Sequence, residues 1–157
     1  RLACFFLHGT ATTALYPLSL PAALPISDSF TEYFSTGSGR AAVSLLEAAG
    51  YQVELLPRAA CCGLTWITTG QLDQAREIVA DTVAALHPYV AEGVPIVGLE
   101  PSCLAVLRSD AVELVDDPLA VAVAEGVFTL AELLQATVGW RAQRLSSPVS
   151  PDSSKTP

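Results

Sequence analysis

Cys61 and Cys62 are adjacent and followed by Gly63, and Cys103 lies 41 residues beyond Cys62. Thiolate is the form of cysteine that binds a metal or attacks an electrophile. Soft sulfur donors select iron–sulfur clusters or zinc over hard cations. Cys103 follows Glu100-Pro101-Ser102 directly after an apolar run, where a helix is expected to begin. A helix N-terminus stabilises thiolate there. Gly63 permits a backbone conformation that other residues resist. Cysteine is also among the most buried residue types, so the same positions suit plain core packing. Spacing alone leaves both readings open.

The remaining chemistry-bearing residues have simpler roles. His87 precedes Pro88 near the end of a predicted helix and reads as a surface or capping histidine. Trp66 and Trp140 read as packing residues. Glu113, Asp116 and Asp117 read as a solvated cluster flanking a helix, not as a paired-carboxylate catalyst. No residue is assigned as a general acid or base.

The elements that must position the cysteines alternate. Arg40 to Ala49 places Ala42, Leu45, Leu46 and Ala49 on one helical face, with Gly50 as the C-terminal cap. Tyr51 to Leu56 alternates with the period of a half-buried strand, ended by Pro57. Leu72, Ala75, Val79, Val83, Leu86 and Val90 step by three or four and define an amphipathic helix. Val94 to Leu99 is a short apolar run that suits a buried strand. A last helix is expected from Pro118 through Leu119, Val123, Val127, Leu130 and Leu134. The class is therefore α/β: a small layered domain with a short, at least partly parallel sheet flanked by helices. In such a layer the ends of two strands come together, so Cys61-Cys62 and Cys103 can line one pocket.

Three zones differ in character: an irregular segment at 1–27, the alternating module at 28–140, and a Ser- and Pro-rich tail at 141–157 expected to be disordered. With 157 residues and 51% apolar composition the chain suits one domain with a real core. Sixteen acids against eight bases give a net charge of −8 with no basic stripe, which argues against nucleic acid as a partner. The apolar stretch from Leu2 to Ile26 carries Pro17, Pro21 and Pro25, which break a spanning helix, so no membrane span is expected. It also lacks the basic leader of a signal peptide. Four cysteines (the fourth is Cys4) make a sparse disulfide scaffold, and adjacent cysteines pair poorly. Thiol chemistry in a reducing, cytoplasmic compartment is the expectation.

Several ordered runs resemble one family. These are Phe30-Thr31-Glu32-Tyr33-Phe34, Gly39-Arg40-Ala41-Ala42-Val43 and Leu46-Glu47-Ala48-Ala49-Gly50-Tyr51. They continue with Cys61-Cys62-Gly63, Thr69-Gly70-Gln71-Leu72-Asp73 and Val97-Gly98-Leu99-Glu100-Pro101-Ser102-Cys103. Together they resemble the cysteine-rich CCG domains of heterodisulfide reductase, of iron–sulfur subunits that oxidise lactate, glycolate and glycerol-3-phosphate, and of the C-terminal part of FAD-linked oxidases. The wording around Glu100-Pro101-Ser102-Cys103 is most similar to that last branch. The resemblance implies an electron-transfer module with an iron–sulfur cluster of the 4Fe–4S type in the full-length relative. It also implies FAD on a part of the protein absent from this sequence, with flavin and ferredoxin-like domains as partners and a 2-hydroxy acid as substrate.

Carried over residue by residue, Cys61, Cys62 and Cys103 match the family's metal ligands, with Gly63 beside them. Ser29 stands where the family has its first cysteine, with 31 residues between it and Cys61. Glu100 stands at the first position of the family's last Cys-x-x-Cys, where it would be a substitute or supporting ligand. Three thiolates and a carboxylate would also suit zinc, and loss of the metal would leave a structural or docking module. The segment from His8 to Ile26 resembles a translated sequencing adapter. On that resemblance the module's first strand is missing or imitated by Ala22 to Ile26, and the fragment is expected to be truncated.

Overall fold

A computed structural model describes residues 20–26, 36–58 and 60–137. Cys4, Ser29, the run 30–34, Trp140 and the segment 141–157 lie outside the described residues. The elements in chain order are β1 (Ala22–Ile26), α1 (Thr36–Ala48), β2 (Gln52–Val53), α2 (Leu64–Thr68), α3 (Leu72–Ala91) and β3 (Ile96–Gly98). Next comes α4 (Pro101–Ala105), running through a π-helical turn (Val106–Asp110) into α5 (Ala111–Leu114). The chain then forms α6 (Pro118–Gly126), β4 (Val127–Thr129) and α7 (Leu130–Ala136). The α/β class inferred from the alternating pattern is the one observed.

The four strands form one sheet in the order β2-β1-β3-β4, every pair parallel. Leu24 lies opposite Ile96, and Ile96 opposite Val127. These three share one face and pack against Val79, Val83 and Leu86 of α3, Leu104 of α4, and Ala120 and Val123 of α6. The alternate positions Ala23 and Val97 face the other way, toward Leu46 of α1 and Leu133 of α7. Helices thus cover both faces, which is why the central strands are apolar throughout rather than alternating. Leu24, Ile96 and Val97 are fully buried, and each such side chain stabilises the fold by roughly 1.5–3 kcal/mol.

Three elements differ from the sequence expectation, the first being the strand expected over Tyr51 to Leu56, which is confined to Gln52–Val53. Residues 22–26, irregular by their pattern but named on the resemblance as a stand-in for the module's first strand, form a central strand despite Pro25. Proline is normally excluded from sheet centres because it cannot donate to the ladder. Here the backbone of Pro21 and Ala23 turns toward β2, where their carbonyls accept from Gln52 and Glu54, while Leu24 N–H turns the other way and donates to Pro95. Pro25 therefore presents its missing donor toward β2 beyond Val53, where that short strand has ended.

The single helix expected from Pro118 to Leu134 is in fact α6, β4 and α7. Gly126 ends α6 where Val90 crowds in; a Cβ there would lie 2.7 Å from Val90 Cγ2. Val127, Phe128 and Thr129 then pair with β3, and Thr129 starts α7 with a reciprocal cap involving Glu132. Among the described residues no helix is long and apolar enough to cross a membrane.

Candidate functional site

The cysteines sit at the carboxyl ends of the strands. In the order β2-β1-β3-β4 the chain steps outward in one direction from β1 to β2 and in the other from β3 to β4. The winding reverses between β1 and β3, the place where open α/β sheets bind their ligands. The segment after β2 carries Cys61 and Cys62, and the segment after β3 carries Cys103.

Each segment is held by polar contacts to its backbone. Thr82, 4% exposed on the buried face of α3, donates to the Cys61 carbonyl at 2.7 Å and accepts from the Cys61 N–H at 3.1 Å. One hydroxyl thereby satisfies both backbone groups of that residue. Gly63 follows with φ 76°. A Cβ at Gly63 would lie 3.0 Å from Val79 Cγ2 and 3.5 Å from the Ala75 carbonyl oxygen. The position thus requires glycine twice over, for its left-handed backbone and for the close approach to α3.

On the other side, Glu100 is the N-cap of α4, and its Oε2 accepts the Cys103 N–H at 2.6 Å. Ser102 Oγ donates to Glu100 Oε1 at 3.0 Å. Pro101 takes the first helical position, where its missing N–H costs nothing. Gly98 ends β3 beneath Leu104; a Cβ on Gly98 would lie 2.5 Å from Leu104 Cδ1. Absence of a side chain at Gly98 lets α4 settle on the strand end and fixes the height of Cys103.

These constraints bring Cys62 Sγ and Cys103 Sγ to 2.9 Å. Cys62 is buried, Cys103 half-buried and Cys61 exposed. Cys61 Sγ accepts only a long contact from Gly63 N–H, at 3.5 Å. The Cys103 thiol lowers the Cys62 pKa to about 7, aided by the Leu64 N–H and opposed by burial and by the Glu100 charge. Cys103 is raised well above the ordinary thiol range, first by the same hydrogen bond, then by burial and the neighbouring negative charges. While both are neutral either thiol can donate across this contact; once Cys62 ionises, Cys103 is the donor. The Glu100 carboxyl lies below its usual value: desolvation opposes this, and the N–H groups of Cys103 and Ser102 outweigh it.

Of the residues singled out in the sequence, Cys62 and Cys103 are brought together, Gly63 and Glu100 support them, and the Cys61 sulfur turns outward. Trp66 and His87 are partly buried on α2 and α3. Asp117 caps α6 by accepting from Leu119 N–H at 2.9 Å. Thr82 and Gly98 escaped the sequence reading. Thr82 carries a signal, a polar residue inside the apolar stripe of α3, whereas nothing local marks Gly98.

A parallel α/β layer with thiols at its switch point is the class that fold and site define. The chain belongs to the CCG cysteine-rich domain family, whose profile matches residues 29–108, just over half of it. It is also similar to one of the subunits of anaerobic glycerol-3-phosphate dehydrogenase, both in Escherichia coli strain K12 and in Escherichia coli O157:H7. Each is 29% identical over 82 residues, covering 52% of this chain and 21% of the relative. The chain thus spans about a fifth of the length of these curated relatives. No solved structure matches it.

The described residues only partly fit the cluster that the family resemblance implies. Two soft donors converge, but Cys61 points away, and the Glu100 carboxylate is engaged by two backbone N–H groups and Ser102. Among the described residues no group of three or more His, Cys, Asp or Glu side chains is arranged to hold a metal ion. A four-thiolate site is therefore not complete within them.

Proposed function

We propose that this chain is the electron-transfer CCG module of a larger FAD- and iron–sulfur-dependent oxidoreductase, acting after a flavin has oxidised a 2-hydroxy acid. The observation that carries the reading is the convergence of Cys62 and Cys103 at the sheet edge, from segments on either side of β1. The family and the similarity to a dehydrogenase component support it. The flavin performs the hydride chemistry elsewhere in the protein. This chain's residues contribute Cys62 and Cys103 as soft donors bordering the redox centre, with Cys61 next to them. Glu100 and Gly63 hold the thiols in register, and the site is completed by flavin and ferredoxin-like partner domains. Free thiols suit a reducing compartment, here the cytoplasm.

Anaerobic reconstitution of the chain with iron, sulfide and a small thiol tests this. Bound iron and sulfide with a visible chromophore, lost in Cys62→Ser and Cys103→Ser, is the expected result. Zinc without sulfide would replace the proposal with a zinc-binding domain. Absence of metal would replace it with a docking module, a second reading favoured by Glu100 serving as a helix cap.

A further inference from the structure

We propose that Cys62 and Cys103 form a reversible dithiol–disulfide couple in the metal-free chain, exchanging two electrons with a small-molecule disulfide. The inference rests on geometry. A disulfide bond is about 2.05 Å long, and the two sulfurs already stand 2.9 Å apart, so closure requires a movement of under about 1 Å. The sulfurs belong to segments fixed independently of each other. Thr82 and Gly63 pin the first to α3, while Glu100 and the Gly98–Leu104 contact pin the second to β3. Little conformational freedom is left to lose on closure, and the bond would join positions 41 residues apart. Cys61 is a poor competitor, since adjacent cysteines pair badly and its sulfur faces solvent.

Exchange proceeds in two displacements. One thiol of the pair attacks one sulfur of R–S–S–R, forming a mixed disulfide on that cysteine, and the first small thiol departs with its proton. The second cysteine then attacks the cysteine sulfur of the mixed disulfide, forming the Cys62–Cys103 bond and releasing the second small thiol with the remaining proton. Two protein thiols are oxidised by two electrons, and one disulfide is reduced to two small thiols. A small thiol in excess reverses the sequence through the same mixed disulfide.

This couple is independent of the oxidoreductase assignment, so failure of iron uptake leaves it standing. The test uses the full chain with Cys4→Ser, stripped of metal by a chelator and equilibrated in mixtures of reduced and oxidised glutathione. Free thiols are then alkylated, and the chain is digested and mapped by mass spectrometry. The expected product is a peptide pair cross-linked through Cys62 and Cys103, formed reversibly and retained when Cys61→Ser is added. Cys62→Ser and Cys103→Ser should each abolish it. Cross-linking through Cys61 instead, or glutathione adducts with no internal cross-link, would overturn the proposal. The cross-link is read on otherwise native sulfurs, so poor folding of a serine variant does not remove the test.

Discussion

The outer strand β4 and the switch point between β1 and β3 use polar groups in opposite ways. Along β4, Arg108 donates from Nε and Nη2 to the Val127 carbonyl at 3.1 and 2.8 Å, and its guanidinium pairs with Glu132. Glu132 in turn accepts the Thr129 N–H at 2.8 Å. Donors and acceptors close on one another there, beside an open cleft of about 590 Å³ lined by Val90, Pro95, Phe128 and Leu133. At the switch point, Thr82 and Glu100 bind only backbone and a neighbouring serine, and the reactive atoms they position are sulfurs facing each other. The first arrangement satisfies its charges and is structural. The second fixes the backbone and leaves soft donors for chemistry.

Gly63→Ala should have the largest effect. It forces a side chain into a left-handed backbone and against Val79 Cγ2 at 3.0 Å, at a cost of about 3 kcal/mol. Denaturant unfolding would show it as a lowered midpoint. Gly98→Ala crowds Leu104 without a backbone penalty and should cost about 2 kcal/mol. It should also displace Cys103, reducing cross-linking to Cys62 under oxidising conditions.

Thr82→Val keeps the shape and deletes the hydroxyl that serves both backbone groups of Cys61. A loss of about 1–2 kcal/mol is expected from two partly buried groups left without a partner. Cys103→Ala removes the donor that stabilises Cys62 thiolate. The Cys62 titration, followed by thiolate absorbance in the metal-free chain, should move from about 7 toward the ordinary thiol value of 9.0.

The smallest effect is expected at β4. Arg108, with the Thr129 cap, holds the Glu132 pKa at about 2 instead of its ordinary 4.5. A depressed carboxyl contributes stability that is fully present above the unfolded-state pKa and is lost as pH falls through the folded-state value. The thermal-stability difference between the natural chain and Glu132→Gln should therefore be constant near neutrality and shrink between about pH 4.5 and 2. The cross-linking of Cys62 to Cys103 should be unchanged in that variant, since Glu132 bonds Arg108 and Thr129 and neither cysteine segment.

Much of this contrast was legible in the residues and some was not. The apolar stripes of α1 and α3 gave those helices directly, and the run before Glu100 gave β3. Strand β4 was hidden because Val123, Val127, Leu130 and Leu134 also satisfy helical spacing; pairing with β3 decides between the two. Strand β1 was hidden by its prolines, since only the early end of β2 makes Pro25 tolerable. Glu100 stands at a ligand position in the family pattern, yet its carboxylate is engaged as a helix cap. Residue types named the cysteines, but strand order and the two glycine contacts determine that Cys62, and not Cys61, faces Cys103.

Binding of a trivalent arsenical tests that convergence most directly, because arsenic bridges only thiols within reach of each other. Phenylarsine oxide titrated against the metal-free chain with Cys4→Ser should bind at one equivalent, unchanged by Cys61→Ser and lost in both Cys62→Ser and Cys103→Ser. Tight binding that survives Cys103→Ser but is lost in Cys61→Ser would contradict the account, placing the reactive pair within the Cys61-Cys62 dipeptide instead of across the sheet edge.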